Sequence, residues 1–438
     1  MRTVFERCAG LDVHKKSVVA CRMCLRGQNE VVSETRTFGT TTPDLLELSD
    51  WLAAWEVTHV AMESTGEYWK PIFNILEGHV TVFLVNAHHV KHVPARKTDV
   101  QDAEWLAELM FYGLLKPSFI PEKPQRELRD LTRTRRTLVQ ERTRVVNRLQ
   151  KVLEAANIKL ASVASDIMGV SSRQMLQALI EGQTDPETIA ELAKGRLRKK
   201  IPALKKALTG LVDDHHRFLL SHHLAHIDFL DEQIAALDEA IELHIERMSQ
   251  KPTRPGEDAS DGEGHASGGE SLTWSKAVEL LDSVPGINRR MAETILAEIG
   301  IEMNQFPSAR HLAAWAGVAP GNHQSGGKRY SGRTKKGNKV LRALLTQAAH
   351  AGARTKDTYL SALYRRIAAR RGKKRAIIAV AHSILVSIYY MLLRQQPYHD
   401  LGATYFDNRR KEAKADYLMR QLRRLGYEVK VEPMPMAA

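Results

Sequence analysis

The sequence predicts an α/β domain at the N-terminus, a long α-helical coiled coil in the middle and a mostly α-helical domain at the C-terminus. Over about the first 115 of the 438 residues, β-prone runs alternate with helical spacing, which predicts a sheet with helices packed on it. Two later apolar seams have steps of three, four or seven residues, which is typical of long paired helices. A stretch of Gly, Ser, Asp, Glu and Pro then precedes apolar helical segments, and it indicates a flexible linker before the last domain.

These patterns divide the chain into five segments. They are an α/β domain at residues 1–118, a coiled coil at 119–250, a flexible linker at 251–271, a helical domain at 272–396 and a basic tail at 397–438. In the first segment we predict strands at 18–23, 57–62 and 80–85, and helices at 43–55, 68–76 and 98–115. The tail is predicted to be helical at 408–425.

Two apolar seams define the predicted coiled coil. The first contains Leu128, Leu131, Leu138, Val145, Leu149, Val152 and Ala156, and the second contains Ile227, Leu230, Ile234, Leu237, Ile241, Ile245 and Met248. Two such helices pair most simply as an antiparallel hairpin within one chain, with the segment between them as a helical tip. Pairing between two chains fits the same pattern.

The charge of the chain is uneven along its length. The formal net charge is +13 and the pI is about 9.5, which is typical of a protein that binds a polyanion. From Arg310 to the C-terminus there are 26 Lys and Arg residues against 7 Asp and Glu residues, whereas the first 309 residues hold 38 and 44. The C-terminal part is therefore predicted to contact phosphate, and the surplus carboxylates of the N-terminal part are candidates to hold a cation.

Secretion and membrane insertion are both disfavoured by the sequence. Cys8, Cys21 and Cys24 are too few for a disulfide scaffold, and residues 1–9 contain no apolar core of signal-peptide length. Residues 376–393 are largely apolar, but a membrane span needs about 20 such residues, and the basic run before them favours a buried core helix. We expect a cytoplasmic, nucleoid-associated protein without a membrane partner.

Four carboxylates are candidate metal ligands. Asp12 is placed at the start of the chain's first strand, Glu63 ends the strand at 57–62, and Asp99 and Asp102 lie on one face of a helix start, with Thr98 as its N-cap. Taken singly, each acid is explained as a cap or a solvated charge. Together they can converge at one end of the sheet, where carboxylate oxygens suit Mg²⁺ or Mn²⁺. This arrangement resembles the RNase H-like fold of Holliday-junction resolvases.

A glycine-rich basic loop in the C-terminal domain surrounds Ser325. Its cations and exposed backbone N–H groups can bind phosphate, and a hydroxyl held among them can attack phosphorus. The alternative is a basic surface loop in which Ser325 only turns the chain. The candidate phosphate contacts of this segment are Lys328, Arg329, Lys335, Lys336 and Arg342.

Six short motifs occur in a characteristic order. They are G-L-D-V-H, M-E-S-T-G and K-T-D-x-x-D near the N-terminus, then P-G-I, G-x-x-P-x-x-x-x-S-G and K-x-G-N-x-x-L-R near the C-terminus. In this order they resemble the DEDD-type insertion-sequence transposases of the IS110 family, including its sister subgroup. The resemblance covers the first 115 residues and about 280–393, and the coiled coil between them matches the family layout.

The resemblance implies a function and a set of roles. A RuvC-like, RNase H-like N-terminal domain would hold Mg²⁺ through Asp12, Glu63, Asp99 and Asp102, and a C-terminal transposase domain would supply Ser325 as the nucleophile, with Ser331 as the second choice. Strand exchange on double-stranded DNA would pass through a covalent phosphoserine, guided by a structured RNA encoded by the element. A dimer or tetramer would supply at least two active sites. The nucleic-acid surfaces would include Arg135, Arg136 and Arg142 of the coiled coil.

Two other functions fit parts of the same pattern. A Holliday-junction-resolvase-like nuclease would use the four carboxylates and water without a serine nucleophile. A non-enzymatic RNA- or DNA-binding protein would use its acids only as caps and solvated charges.

Three weaker motifs have structural explanations of their own. Residues 284–288 resemble the turn of a DNA-binding helix–hairpin–helix, although a structural helix connection fits equally well. Cys21 and Cys24 have zinc-like spacing without a second pair, so buried thiols are favoured. Five histidines between 215 and 226 include the i, i+4 pair His222 and His226, for which solvated side chains are favoured over a metal site.

Overall fold

The computed structural model of the chain describes residues 3–27, 30–63, 66–85, 99–250, 272–321, 323–409 and 411–428. The chain divides into two compact units, Met1–Pro121 and Glu122–Ala438. The predicted linker at 251–271 and the predicted N-cap Thr98 lie outside the described residues, so both stay predictions.

A mixed five-stranded sheet forms the first unit. Its strands are β1 (Arg7–Val13), β2 (Ser17–Arg26), β3 (Glu30–Gly39), β4 (His59–Glu63) and β5 (Thr81–Val85), in the order β3-β2-β1-β4-β5. β1, β2 and β3 pair antiparallel, whereas β4 pairs parallel with both β1 and β5. The helices in the described part of this unit are α1 (Thr42–Ala53), α2 (Trp69–Leu76) and α3 (Asp99–Phe111). The sheet is compatible with the predicted RNase H-like domain.

Helices cover both faces of this sheet. On one face Leu11 of β1 and Met62 of β4 share a core with Leu48 of α1 and Ile72 of α2. The other face is covered by α3, whose apolar residues pack on β1, β2, β4 and β5. Because both faces are buried, the middle residues of the central strands, 8–11 of β1 and 60–62 of β4, are apolar.

Two strands and one position differ from the sequence prediction. β1 and β3 were not predicted, because β1 contains Cys8, Ala9 and Gly10, which have weak β-propensity, and β3 is a largely exposed edge strand. Placing Asp12 at the start of the first strand was wrong, since Asp12 is the last residue but one of β1.

Two long helices dominate the first part of the second unit. α4 (Lys123–Ala155) and α9 (Asp214–Gln250) pack together within one chain and run antiparallel, because Arg135 pairs with Asp238 and Arg142 pairs with Asp231. The segment between them contains α5 (Leu160–Val163), α6 (Val170–Ile180), α7 (Pro186–Ala190), a 3₁₀ turn (Gly195–Lys200) and α8 (Ile201–Leu208). These short helices share a hydrophobic core with the ends of α4 and α9. Regular heptad supercoiling of the pair stays a prediction.

The buried stripe of α4 deviates from the predicted seam. Thr132 and Leu153 are buried, whereas the neighbouring seam residues Leu131 and Val152 are only half-buried. Two further partners explain this, since α4 also packs against α11 (Arg289–Ile299) around Thr132, and Leu153 lies in the core that α4 shares with the short helices. The Thr132 hydroxyl donates to Leu128 O at 3.0 Å, which satisfies it inside this contact.

Among its described residues, the rest of the second unit is helical apart from one hairpin. Its elements are α10 (Trp274–Asp282), α11, a 3₁₀ turn (Met303–Gln305), α12 (Ala309–Trp315), β6 (His323–Ser325), β7 (Lys328–Ser331), α13 (Lys339–Gly352), α14 (Tyr359–Arg371), α15 (Lys373–Arg394), α16 (Tyr405–Asn408) and α17 (Lys411–Arg424). Within the described ranges, α15 is the one helix long and apolar enough to cross a membrane, and 56% of its most apolar window is buried. It packs on α12, α13 and α14, as expected of a core helix.

Candidate functional site

Asp12 and Glu63 lie side by side at one edge of the sheet. β1 and β4 are parallel and pair Leu11 with Met62, so Asp12 and Glu63 are the next positions of the two strands. The side chain of Asp12 is only 14% exposed, and its Oδ2 lies 3.0 Å from Nε2 of His14. We call this carboxyl end of β1 and β4 the acid edge.

The first turn of α3 lies at the acid edge. Val4 N–H donates to Phe111 O at 2.9 Å and the Cys8 thiol donates to Ala107 O at 3.6 Å, so α3 runs antiparallel to β1. Asp99 and Asp102 are in the turn that this direction brings toward the end of β1. Asp102 is exposed, and the side chain of Asp99 lies outside the described part of the chain.

Gly10 permits this close approach of helix and strand. A methyl group at Gly10 would overlap Ala103 O and Ala107 N of α3. Gly10 and Asp12 are two residues apart and therefore share a face of the sheet, which is the face that α3 covers. The backbone thus brings the segments that carry the four predicted acids to one end of one face.

The acid edge fits a divalent cation in its donor chemistry. Carboxylate oxygens are the ligands that Mg²⁺ and Mn²⁺ prefer, and Asp12 and Glu63 offer them from neighbouring strand ends. Among the described residues, no three His, Cys, Asp or Glu side chains form a group that could hold a metal ion. The four-carboxylate metal site therefore stays a prediction.

Ser325 lies in a β-hairpin, not in an irregular loop as predicted. β6 and β7 pair Ser325 with Lys328, and the turn between them is Gly326 and Gly327 with φ of 54° and 75°. Positive φ at both central residues is the signature of a type I′ turn, which glycine adopts without strain. Ser325 is the last residue before this turn. Its side chain and that of Arg329 lie outside the described part of the chain.

The neighbouring candidates occupy defined positions. Lys328, Lys335 and Lys336 are exposed, whereas Arg342 is half-buried near the start of α13. The hydroxyl of Ser331 accepts a hydrogen bond from Arg333 N at 3.1 Å, so it shapes the turn that leaves the hairpin. This bond gives Ser331 a structural role.

The arginines of the long helices are partly used within the protein. Arg135 and Arg142 form bidentate pairs with Asp238 and Asp231 of α9. These pairs join the two helices, so the guanidinium groups of Arg135 and Arg142 already have carboxylate partners within the protein. Nucleic-acid binding by Arg135, Arg136 and Arg142 stays a prediction.

A buried carboxylate near the hairpin was not predicted from the sequence. Glu298 of α11 has no exposed surface, and it contacts Arg129 and Arg133 of α4 and Asn338 at the start of α13. Burial lowers the pKa of Arg129 to about 10. The available signal was a glutamate within an otherwise apolar stretch near the end of α11, but its partners are distant in sequence.

The weaker motifs have structural roles in the described residues. All three cysteines are buried and free, and burial raises the pKa of Cys8 to about 12. The turn at Gly286 has φ of 95° and packs against Ala348 O and Gly352 N of α13, which favours a structural connection. His222 and His226 are exposed on α9.

Comparisons with known proteins match both units. A family model for DEDD-type transposases matches residues 9–158, and a second, described as "Transposase IS116/IS110/IS902 family", matches residues 278–365. The chain is 26% identical over 360 residues to a "Transposase for insertion sequence element IS1111A" from Coxiella burnetii, covering 79% of this chain and 81% of the relative.

Two further relatives extend the comparison. A "Probable family 20 transposase" from Pseudomonas aeruginosa is 24% identical over 347 residues, covering 77% of this chain and 85% of the relative. A "Pilin gene-inverting protein" from Moraxella bovis is 31% identical over 122 residues, which is 27% of this chain and 38% of that protein.

Proposed function

Because the chain belongs to the IS110 family of transposases, we propose that it cuts and rejoins DNA strands through a phosphoserine at Ser325, in a reaction that requires Mg²⁺. Membership of this family makes the protein a DNA-cleaving and recombining enzyme. The observation that carries the metal-dependent part is the acid edge, where Asp12 and Glu63 are adjacent on parallel strands. The hairpin with its basic flanks supports the serine-dependent part.

In this proposal the N-terminal acids bind a divalent cation. Asp12, Glu63, Asp99 and Asp102 would hold it, and a bound ion would stabilise negative charge at the scissile phosphate. His14 orients the carboxylate of Asp12 through its hydrogen bond. Packing of α3 against Gly10 keeps the first turn of the helix beside β1.

The serine chemistry is a pair of transesterifications. The Oγ of Ser325 attacks phosphorus, the Oγ–P bond forms as the P–O3′ bond breaks, and the proton lost by serine is balanced by the proton gained on the leaving 3′ oxygen. A 3′ hydroxyl from the partner strand then attacks the phosphoserine and releases Ser325. Lys328, Arg329, Lys335, Lys336 and Arg342 are proposed to bind the phosphates.

The partners follow from the same chemistry. Exchange between two duplexes requires at least two active sites, so we propose a dimer or tetramer in which the acids and the serine can come from different protomers. Sequence readout is assigned to base pairing with an RNA encoded by the element, which leaves phosphate and shape recognition to the protein. The paired long helices and the basic part of the chain from Arg310 onward are the proposed nucleic-acid surfaces. We place this reaction in the cytoplasm, at the nucleoid.

The decisive experiment is a search for the covalent adduct. End-labelled branched DNA with its guide RNA is incubated with wild-type, Ser325→Ala and Ser331→Ala proteins in Mg²⁺, and protease-sensitive adducts are resolved on a denaturing gel. We expect adducts from the wild-type and Ser331→Ala proteins and none from Ser325→Ala. An adduct that persists in Ser325→Ala and disappears in Ser331→Ala would reassign the nucleophile to Ser331.

A metal-dependent nuclease without a serine nucleophile is the second candidate, because the acid edge supports metal-dependent cleavage whether the nucleophile is serine or water. Under that reading, Ser325→Ala would still cut branched DNA in Mg²⁺, with no adduct at any time. Under our proposal, Ser325→Ala loses cleavage.

Asp12→Asn tests the acid edge itself. We expect cleavage to fall by about 100-fold or more, because one charged ligand of the phosphate-activating site is lost, with DNA affinity nearly unchanged. Asp50→Asn on α1, an exposed residue of the same unit, is the matched control. Full cleavage by Asp12→Asn would remove this residue from the site.

A further inference from the structure

Glu298 is a fully buried carboxylate whose charge is neutralised by α4. Its Oε1 accepts from Arg133 Nε at 2.7 Å, and its Oε2 accepts from Arg133 Nη2 at 2.9 Å. Arg129 Nε lies 3.6 Å from Oε2 and also donates to Ala297 O at the end of α11. A buried carboxylate is tolerated only when it is paired in this way, so its orientation is fixed.

The same carboxylate binds the residue at the base of the Ser325 hairpin. Asn338 Nδ2 donates to Glu298 Oε2 at 2.6 Å. Asn338 Oδ1 accepts from Val340 N and Leu341 N, each at 3.0 Å, and so caps α13. Its backbone N–H donates to Trp315 O at 3.2 Å. Asn338 therefore joins α11, α12 and α13 at one point.

Two segments flank the hairpin, residues 316–321 and 332–337, and we call them its arms. Both begin beside Asn338 and lie close together. Gly337 touches the backbone of Gly317 so closely that neither could carry a side chain without a shift, and Gly321 lies against Arg333 O in the same way. The arms then continue into the paired strands that end at Ser325 and Lys328. These contacts link the position of Asn338 to the segments that flank the hairpin.

We propose that Glu298 is a positioning residue that aligns the Ser325 hairpin through Asn338, using Arg129 and Arg133 of α4 as its anchor. This inference rests on the proposed serine chemistry, and it assigns Glu298 no direct contact with the substrate, because its side chain has no exposed surface. A carboxylate is required because it accepts from Arg133 and Asn338 at once. An alignment error of about 1 Å at a reacting group can lower a rate about 100-fold.

The test exchanges the amide and the acid between the two positions. Asn338→Asp keeps the helix cap but sets a carboxylate against Glu298, so we expect adduct formation to slow about 100-fold. Glu298→Gln turns an NH2 donor toward Arg133 or Asn338 and should slow the rate comparably, and the double variant should lose far less than the product of the two single effects, because both changes act on the same hydrogen bond. Thr273→Asp, which places a carboxylate at the exposed N-cap of α10, is the control and should leave the rate unchanged.

Stability and DNA binding are measured on the same proteins. A positioning role predicts slow adduct formation in Asn338→Asp while the folded fraction at the assay temperature and the affinity for DNA stay as in the wild type. A normal rate in Asn338→Asp, single effects that multiply in the double variant, or a loss that follows the folded fraction would each overturn the inference. Absence of an adduct from the wild-type protein would instead overturn the proposed function.

Discussion

Gly10 shows how one missing side chain shapes the acid edge. It lies two residues before Asp12 on the strand face that α3 covers. Gly10→Ala would push α3 away from β1, and we expect a loss of about 1–3 kcal/mol in the free energy of unfolding. Cleavage should fall further than the folded fraction, because the acids on α3 move relative to Asp12.

Urea unfolding and Mg²⁺-dependent cleavage measure the two effects of Gly10→Ala. Cys8→Ala is the matched control, since it removes atoms from the same strand face and leaves α3 free to pack. Unchanged cleavage in Gly10→Ala would show that the helix position does not matter to the site.

Cys8 provides a pH-dependent prediction. Burial raises the pKa of its thiol to about 12, and a thiolate is the reactive form, so only about one Cys8 in 10⁴ is ionised at pH 8. Alkylation of the native protein should be very slow at pH 8 and should accelerate as pH rises toward 12 or when urea unfolds the unit. Mass spectrometry of iodoacetamide-treated protein measures this. Rapid native labelling of Cys8 would contradict the buried strand.

Short motifs predicted which single residues to examine, and the structure tests only where these residues lie. Asp12, Glu63 and Ser325 were singled out from short motifs, and the structure places the first two together on adjacent strands. Glu298 was not found, because a glutamate in a helix is ordinarily a solvated charge. Its burial depends on Arg133 and Asn338, which are distant along the chain.

At the scale of elements, apolar spacing predicted which helices exist better than it predicted what those helices pack against. The seams predicted both long helices, and their pairing within one chain was one of the two arrangements that the pattern allowed. The spacing could not show that α4 packs on α11 as well as α9, so Thr132 was missed. A loop was predicted around Ser325, although the pair Gly326 and Gly327 is typical of the tight turn of a β-hairpin.

Packing, more than charge, is expected to hold α4 to α9. Leu149→Ala removes a fully buried side chain and should lower the free energy of unfolding by about 2–5 kcal/mol. The partly exposed pair Arg142 and Asp231 should show a coupling of only about 0.2–1 kcal/mol in a double-mutant cycle with alanine. Urea denaturation measures both. A coupling free energy between Arg142 and Asp231 that exceeds the loss caused by Leu149→Ala would contradict this prediction.

At the scale of the whole molecule, the charge is uneven along the chain: the acid edge lies before Arg310 and the basic hairpin region lies after it. This asymmetry could be read from the sequence because charge is counted directly, whereas a division of roles between the two regions stays a prediction. The sequence could not supply the arrangement of helices around α15, since that depends on contacts between distant segments.

The salt dependence of DNA binding tests this division. Each phosphate contact contributes about 0.9 to the slope of log affinity against log salt concentration, so Lys335→Gln with Lys336→Gln should lower the slope by up to about 2. Lys276→Gln is the control, because Lys276 already pairs with Glu279. Fluorescence anisotropy over a salt series gives the slopes, and an unchanged slope in the double variant would exclude these two lysines from the phosphate surface.

The core helix α15 has a consequence for solubility. Its apolar face is covered by α12, α13 and α14, so a truncated or partly unfolded second unit would expose a long apolar segment to other chains. Lys373, Lys374 and Arg375 at its start and Arg394 at its end are charged residues that flank the segment and oppose its self-association. Fragments that end within this unit should therefore precipitate, whereas Met1–Pro121, whose sheet is covered on both faces by its own helices, should stay in solution.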